Sequence, residues 1–259
     1  MKKLFAWILI AAMLLSMAAC GKNEVVEDNS DVQKEDIVII QGAAGEETFG
    51  VAITSGNTIE ITSYTGPYDL HPVTVPAEIE GRPVTAIGES AFYHANNITE
   101  IVLPATVTSI GDWAFAGCNY LTSVTGSDAI TTIGKGAFCQ TPALKTVQIS
   151  SVLTEINDYA FSACSSLTNV TLPASLTKIG NAAFENCTAL TSISIPQAVK
   201  SVGLLAFDGC SALTSVTLTA GTEEIGNFAF NACSKNLVIS CPAGSAAAAY
   251  AAQAGIATK

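Results

Sequence analysis

Leu167-Thr168-Asn169-Val170-Thr171-Leu172-Pro173-Ala174-Ser175-Leu176-Thr177-Lys178-Ile179-Gly180-Asn181-Ala182-Ala183-Phe184-Glu185-Asn186-Cys187-Thr188-Ala189 is one complete unit of a 23-residue pattern. Val170 and Leu172 alternate with Asn169 and Thr171, as in a strand with one buried face. Pro173 has no N–H to give and ends the pairing. Leu176 and Ile179 bury a second extended piece that turns at Gly180. Ala183, Phe184 and Cys187 then stand at the spacing of one tight helical turn returning across the core. No piece of this unit can bury its apolar side alone, so the unit requires copies stacked on both sides of it.

The copies are there. Phe92, Phe115, Phe138, Phe161, Phe184, Phe207 and Phe230 follow one another at 23 residues, each preceded by Ala. Ile87, Ile110, Ile133, Ile156, Ile179, Val202 and Ile225 stand five positions before them. A fixed period of this length defines a solenoid. The predicted fold is a right-handed, leucine-rich-repeat-like stack of 23-residue units over residues 75–235, with a parallel β-sheet face and short helical turns. The phenylalanines are its interior spine rather than a ligand ladder, and a mid-stack ring such as Phe161 is expected to matter more than Phe92 at the end. Gly126-Ser127 in place of Leu-Pro, Ser150 in place of Pro and Asn157 in place of Gly should loosen individual corners without breaking the stack. Both ends need covers, because an open rung exposes a sheet edge. Residues 48–74 read as a β-hairpin cap turning at Ser55-Gly56-Asn57. Residues 236–259 read as a last strand and a helical cap from Ala246 to Ala254, N-capped by Ser245, closed by Gly255 and anchored by Tyr250.

The pattern Leu-x-x-Val-x-Leu-Pro, then Ile-Gly-x-x-Ala-Phe-x-x-Cys, resembles the BspA-like branch of bacterial leucine-rich repeats. Ile193-Ser194-Ile195-Pro196 with Ala206-Phe207-Asp208-Gly209-Cys210 carries the match, and Pro76 to Val84 looks like that family's approach to its first full repeat. The resemblance covers about residues 48–259. It implies a surface-exposed binding or adhesion module for host proteins, other bacteria or envelope polymers.

The N-terminus reads as an address. Lys2 and Lys3, the apolar stretch Leu4 to Leu15 and Met17-Ala18-Ala19-Cys20 form a secretory signal over residues 1–19. The Ala-Ala-Cys ending resembles a bacterial lipoprotein signal, which implies a diacylated Cys20 at the mature N-terminus and a protein on the outer face of the bacterial cell membrane. Residues 20–47 form an acidic flexible tether, with Glu24, Glu27, Asp28, Asp31, Glu35, Asp36, Glu46 and Glu47 against Lys22 and Lys34. Ile37-Val38-Ile39-Ile40 interrupts it as a candidate strand.

The whole chain carries 22 acidic against 11 basic side chains, a net charge of −11 over 259 residues. With one arginine, Arg82, and no basic stripe, nucleic acid and electrostatic adhesion to lipid are excluded as partners. Cys118, Cys164, Cys187, Cys210 and Cys233 occupy one repeat position and read as small buried hydrophobes rather than disulfides or ligands. Cys139 stands outside that column and is expected to be the most accessible thiol. No C-x-x-C pair exists, and His71 and His94 fit no zinc spacing. No metal, cofactor or catalytic constellation is expected, and Asp112, Asp158 and Asp208 read as solvated decoration at unequal offsets.

Two surfaces are candidate sites. The outward positions of the strand row include Glu100, Val102, Thr125, Gln148, Asn169, Thr171, Ser194 and Thr217, a flat face without Tyr, Trp or Arg. Tyr93, His94, Trp113 and Tyr120 form a candidate aromatic patch near the first repeats, with Tyr64 and Tyr68 close by in sequence. Such a patch is a contact site or the seam between cap and solenoid. The functional expectation is a monomeric, non-enzymatic, lipid-anchored module for an extracellular protein or glycan. The alternative is a structural or accessory envelope lipoprotein whose partner is a membrane protein.

Overall fold

Two rows of short parallel strands and one column of turns form the three sides of the stack. The computed structural model describes residues 35–40, 47–126 and 128–259, the first segment as backbone alone. The signal segment 1–19, Cys20 and the tether apart from residues 35–40 and Glu47 lie outside the described residues, as does Ser127. Glu35–Ile40, inside the span read as tether, pairs antiparallel with Thr48–Ile53.

The Ile row holds the strands that end before the repeat glycine. It runs through Arg82–Ile87, Ser109–Ile110 and Thr132–Ile133, then through Glu155–Ile156, Lys178–Ile179, Ser201–Val202 and Glu224–Ile225. The Val row runs through His71–Thr74, Ile98–Val102, Ser123–Thr125 and Thr146–Val147, then through Ser192–Ser194, Ser215–Thr217, Val238–Ser240 and Ala257–Thr258. In-register partners are 23 residues apart, as in Ile87 with Ile110 and Ile193 with Val216. At the front, Thr48–Ile53 and Ile59–Thr65 form an antiparallel pair whose second strand joins the Ile row beside Arg82–Ile87. At the back lies the helix Ala246–Ala254, with Ser245 Oγ accepting from Ala248 N and Gly255 at φ 69°.

The rings of the spine lie nearly parallel inside this frame. From Phe115 to Phe230 successive centroids are 5.2–5.3 Å apart with interplanar angles of 4–9°. The spacing is the rung pitch, close to the ~4.8 Å of a sheet. The stack does not stop at the repeats: Tyr64 lies on Phe92 at 5.1 Å and 24°, while Tyr250 meets Phe230 edge-on at 5.9 Å and 72°.

The helical turns of the pattern are refined into a ribbon with two alternating hydrogen-bond partners. Ala114, Ala116 and Cys118 N–H donate three residues back to Gly111, Trp113 and Phe115 O. The intervening Trp113, Phe115 and Gly117 N–H donate to Lys135, Ala137 and Cys139 O of the next rung, at 2.8–2.9 Å. The alternation requires left-handed residues two places before and after each Phe. These include Trp113 (φ 57°), Tyr159 (59°), Leu205 (58°) and Phe228 (58°) on one side, and His94 (55°), Asn186 (57°) and Gly209 (72°) on the other. An L-residue in this region costs about 1–2 kcal/mol, which the rung-to-rung bonds offset.

Both strand rows are interrupted in the middle of the molecule while the ring spine passes through. The Ile row breaks between Thr132–Ile133 and Glu155–Ile156, and the Val row has no strand at Asn169–Thr171. Asn157 accounts for the first break. Elsewhere the repeat glycine packs so closely that a Cβ on Gly180 would meet Asp158 N at 2.6 Å. Its N–H donates to the previous isoleucine, as Gly180 does to Ile156 O at 2.8 Å. Asn157 has a Cβ there, and its side-chain Nδ2 makes the equivalent bond to Ile133 O at 2.7 Å. Ser150 likewise replaces a proline corner by donating Oγ–H to Asp128 O.

Candidate functional site

The outward side of the Val row is as exposed as its alternation predicts. Glu100, Val102, Thr125, Gln148, Asn169, Thr171, Ser194 and Thr217 all face solvent. They do not form one continuous surface, because Asn169 and Thr171 sit in the segment where the ladder is interrupted. Gln148 is committed locally: its amide donates to Asp128 Oδ1 and accepts from Gly126 N, holding the corner that lacks Leu-Pro.

The four aromatic-patch residues separate into two groups. Tyr93 and His94 pack edge to face at 4.4 Å and line a depression of about 370 Å³ with Tyr64, Tyr68, Asn96 and Asn97. Trp113 and Tyr120 do not line it. Trp113 is half-buried, its ring lying where a Cβ on Gly136 would have to stand. Tyr120 is 51% exposed beyond the next turn.

The depression has a stiff floor and a free rim. Asn97 Nδ2 donates to Pro67 O at 2.6 Å, which fastens the Gly66–Asp69 loop to the first rung. Tyr64 O–H is 2.7 Å from His71 Nε2, and His71 Nδ1 is 2.7 Å from Asp69 O. A carbonyl can only accept, so Nδ1 carries the proton and, in the neutral ring, the tyrosine donates to Nε2. Burial, reinforced by the Glu47 carboxylate, pushes the Tyr64 hydroxyl well above the usual tyrosine range. Tyr68 on the rim is fully exposed and Tyr93 is 55% exposed.

The cysteine column is a hydrogen-bonded ladder. Cys118, Cys164, Cys187, Cys210 and Cys233 direct their S–H to the carbonyls of Phe92, Phe138, Phe161, Phe184 and Phe207, at 3.1–3.3 Å. Thr141 fills the same role toward Phe115 O at 3.0 Å. All these thiols are free. Burial pushes Cys118 and Cys233 up to about 12 and raises Cys164, Cys187 and Cys210 well above the usual thiol range. Cys139, also raised by burial, is only half-buried.

The carboxylates are not decoration. Asp112 and Asp158 stand at the same repeat offset, and their Oδ1 atoms accept from Lys135 N and Asn181 N of the next rung at 2.7 Å. Asp208 accepts from Asn231 Nδ2 at 2.7 Å. Their side chains tie rungs together. Among the described residues no group of three or more His, Cys, Asp or Glu is placed to hold a metal ion.

A stack of parallel 23-residue rungs around one apolar spine, with its chemistry confined to exposed rows, defines a leucine-rich repeat solenoid. Residues 85–203 and 177–247 match the profile of the BspA type leucine rich repeat region, in six copies, and the chain belongs to that family. A leucine-rich repeat protein of T. pallidum is similar at 28% identity and a TM-score of 0.70, over 85% of this chain and 97% of that one. A leucine-rich repeat protein from Bacteroides ovatus shares the fold at 24% identity and a TM-score of 0.62, over 83% of this chain and 60% of that one. No curated protein matches the chain. Solenoids of this kind present extended binding surfaces, and the chain is a repeat module of that class.

Proposed function

We propose that the chain is a lipid-anchored, non-enzymatic binding module on the outer face of a bacterial cell membrane, and that it engages an extracellular protein or glycan. The observation that carries this reading is the depression where Tyr68, Tyr93 and His94 converge. Aromatic faces held open on a hydrogen-bonded floor suit stacking against a sugar ring or an apolar side chain, at little cost in ordering. The outward positions of the Val row, mostly polar, supply a weaker second surface. Acylated Cys20 would hold the module at the membrane, and the acidic tether would set its reach.

The test is an array of matrix proteins and glycans probed with the full chain and with a Tyr68→Ala/Tyr93→Ala variant. A captured ligand that the variant binds ~10-fold more weakly supports the proposal. No ligand on the array, with co-purification of a membrane complex from the native host, replaces it with the accessory-lipoprotein reading, which the bland Val-row face favours. For the anchor, Cys20→Ser should move the protein out of the membrane fraction; continued retention rejects acylation.

A further inference from the structure

The last rung of the solenoid is completed on one side only. Ala257–Thr258 adds a strand beyond Val238–Ser240 on the Val row. On the Ile row no strand follows Glu224–Ile225 among the described residues. In the preceding rung Lys200 O accepts from Glu223 N and Val202 O from Gly226 N, both at 2.8 Å. The equivalent carbonyls of the last rung, Glu223 O and Ile225 O, receive no donor among the described residues.

The turn ribbon is open at the same place. Leu205 N and Gly209 N donate to Asn227 O and Asn231 O of the last rung, at 3.2 and 3.0 Å. Their counterparts Phe228 N and Ala232 N have no acceptor among the described residues. Between them, Phe230 N donates to the Tyr250 hydroxyl at 3.1 Å, so one side-chain oxygen stands where a further rung would place a carbonyl. Two free acceptors and two free donors thus follow one another in the register of a rung. They border a groove of about 1070 Å³ between the last rung and the Ala246–Ala254 helix.

We infer that this groove takes an extended polypeptide segment of a partner, which adds to the stack as a further rung. An edge that offers carbonyls on one strand and N–H groups on the adjoining turn is complementary to a peptide backbone. An anion would satisfy only the donors. The added segment would extend the pairing of Ser201–Val202 with Glu224–Ile225 on the Ile row, as Ala257–Thr258 already extends the Val row. The side chains define the occupant further. Phe228, 61% exposed, lies in the groove and calls for an apolar partner. Glu223 is matched by Lys200 Nζ at 2.7 Å, but Glu224 has no basic partner among the described residues and calls for Lys or Arg in the incoming segment. A second copy fits poorly, because the Ile59–Thr65 strand already occupies the front edge of its own Ile row.

This groove is at the far end of the stack from the Tyr68 depression, so its test is independent of the proposed function. The probe is a fluorescein-labelled peptide copying one rung of this chain, Ala198–Gly209, titrated with the full chain by fluorescence anisotropy. Saturable binding is expected, ~10-fold tighter than for a scrambled peptide of the same composition. Ala249→Trp, which fills the groove from an exposed position on the helix, should weaken binding by at least ~10-fold without altering the melting temperature by more than ~2 °C. Absence of saturation at millimolar concentration, equal binding of the scrambled peptide, or indifference to Ala249→Trp would each overturn the inference.

Discussion

The front and back of the stack end the same spine by different means. At the front, Tyr64 lies flat on Phe92 and Phe49 meets it edge-on at 6.5 Å and 67°, while the Tyr64 hydroxyl turns aside to His71. At the back, Tyr250 covers Phe230 only edge-on but places its hydroxyl on the Phe230 N–H. The front end is closed by ring area, the back end partly by a hydrogen bond. The difference follows from the turn ribbon. Its rung-to-rung N–H groups all point toward the back, so the first rung shows carbonyls of Glu89, Ala91 and Tyr93 and the last shows N–H groups. Only the back requires an acceptor, and a tyrosine supplies one.

The ring spine gives the largest test of this contrast. Phe161→Ala should cost about 3–5 kcal/mol in urea unfolding. Phe92→Ala should cost as much, because Phe92 is as buried as the central rings; the milder effect expected for an end position does not apply where Tyr64 and Phe49 enclose it. Phe230→Ala, with an edge contact on one face, should fall at the low end of that range. A Phe92→Ala penalty well below that of Phe230→Ala would reverse the comparison.

Alkaline pH tests the thiol column along its whole length. An unfolded cysteine ionises near 9.0, while Cys118 and Cys233 at the two ends are held up to about 12. Between those values the unfolded chain has lost protons that the folded chain keeps, so stability falls as pH rises. Each such thiol contributes a slope of about 1.4 kcal/mol per pH unit. The urea midpoint should be independent of these thiols below pH 8 and decline from pH 9 upward. A midpoint unchanged to pH 11 would contradict the buried ladder.

Two substitutions at the back end act in opposite directions. Tyr250→Phe leaves Phe230 N–H without its acceptor and should cost about 1–3 kcal/mol, with faster exchange of that amide. Tyr64→Phe at the front should stay near ~1 kcal/mol, since it removes a bond outside the ribbon. Thr222 occupies the column of Val84, Val107, Leu176 and Val199, and its buried Oγ1 has no partner among the described residues. Thr222→Val should therefore stabilise the chain by about 1 kcal/mol, read as a higher urea midpoint. Asn157→Gly has the smallest global effect. It should restore an amide protected against exchange at position 157, which would mark the healed Ile row.

The period exposed whatever faces inward: the two strand rows, the spine and the cysteine column follow from it residue by residue. It was silent about the direction of backbone hydrogen bonds, because that depends on the sign of φ at positions as varied as Trp113, Leu205 and Phe228. Tyr64 escaped attention as the eighth ring of the front stack because it stands 28 residues before Phe92, outside the repeat. Asp112 and Asp158 were separable from decoration by their 46-residue spacing, twice the period. The aromatic patch was half readable: Tyr93 and His94 are joined by a loop that sequence cannot fold over them, and Trp113 is drawn away onto Gly136.

The one-way ribbon has an electrical consequence. Peptide units aligned across successive rungs add as they do along a helix axis, where the ends carry roughly half an elementary charge each. Here the axis runs across the chain, from rung to rung, and the positive pole belongs to the turn column of the last rung, where the Phe228, Phe230 and Ala232 N–H groups lie. Inserting more repeats would lengthen this dipole without enlarging the charge at its ends.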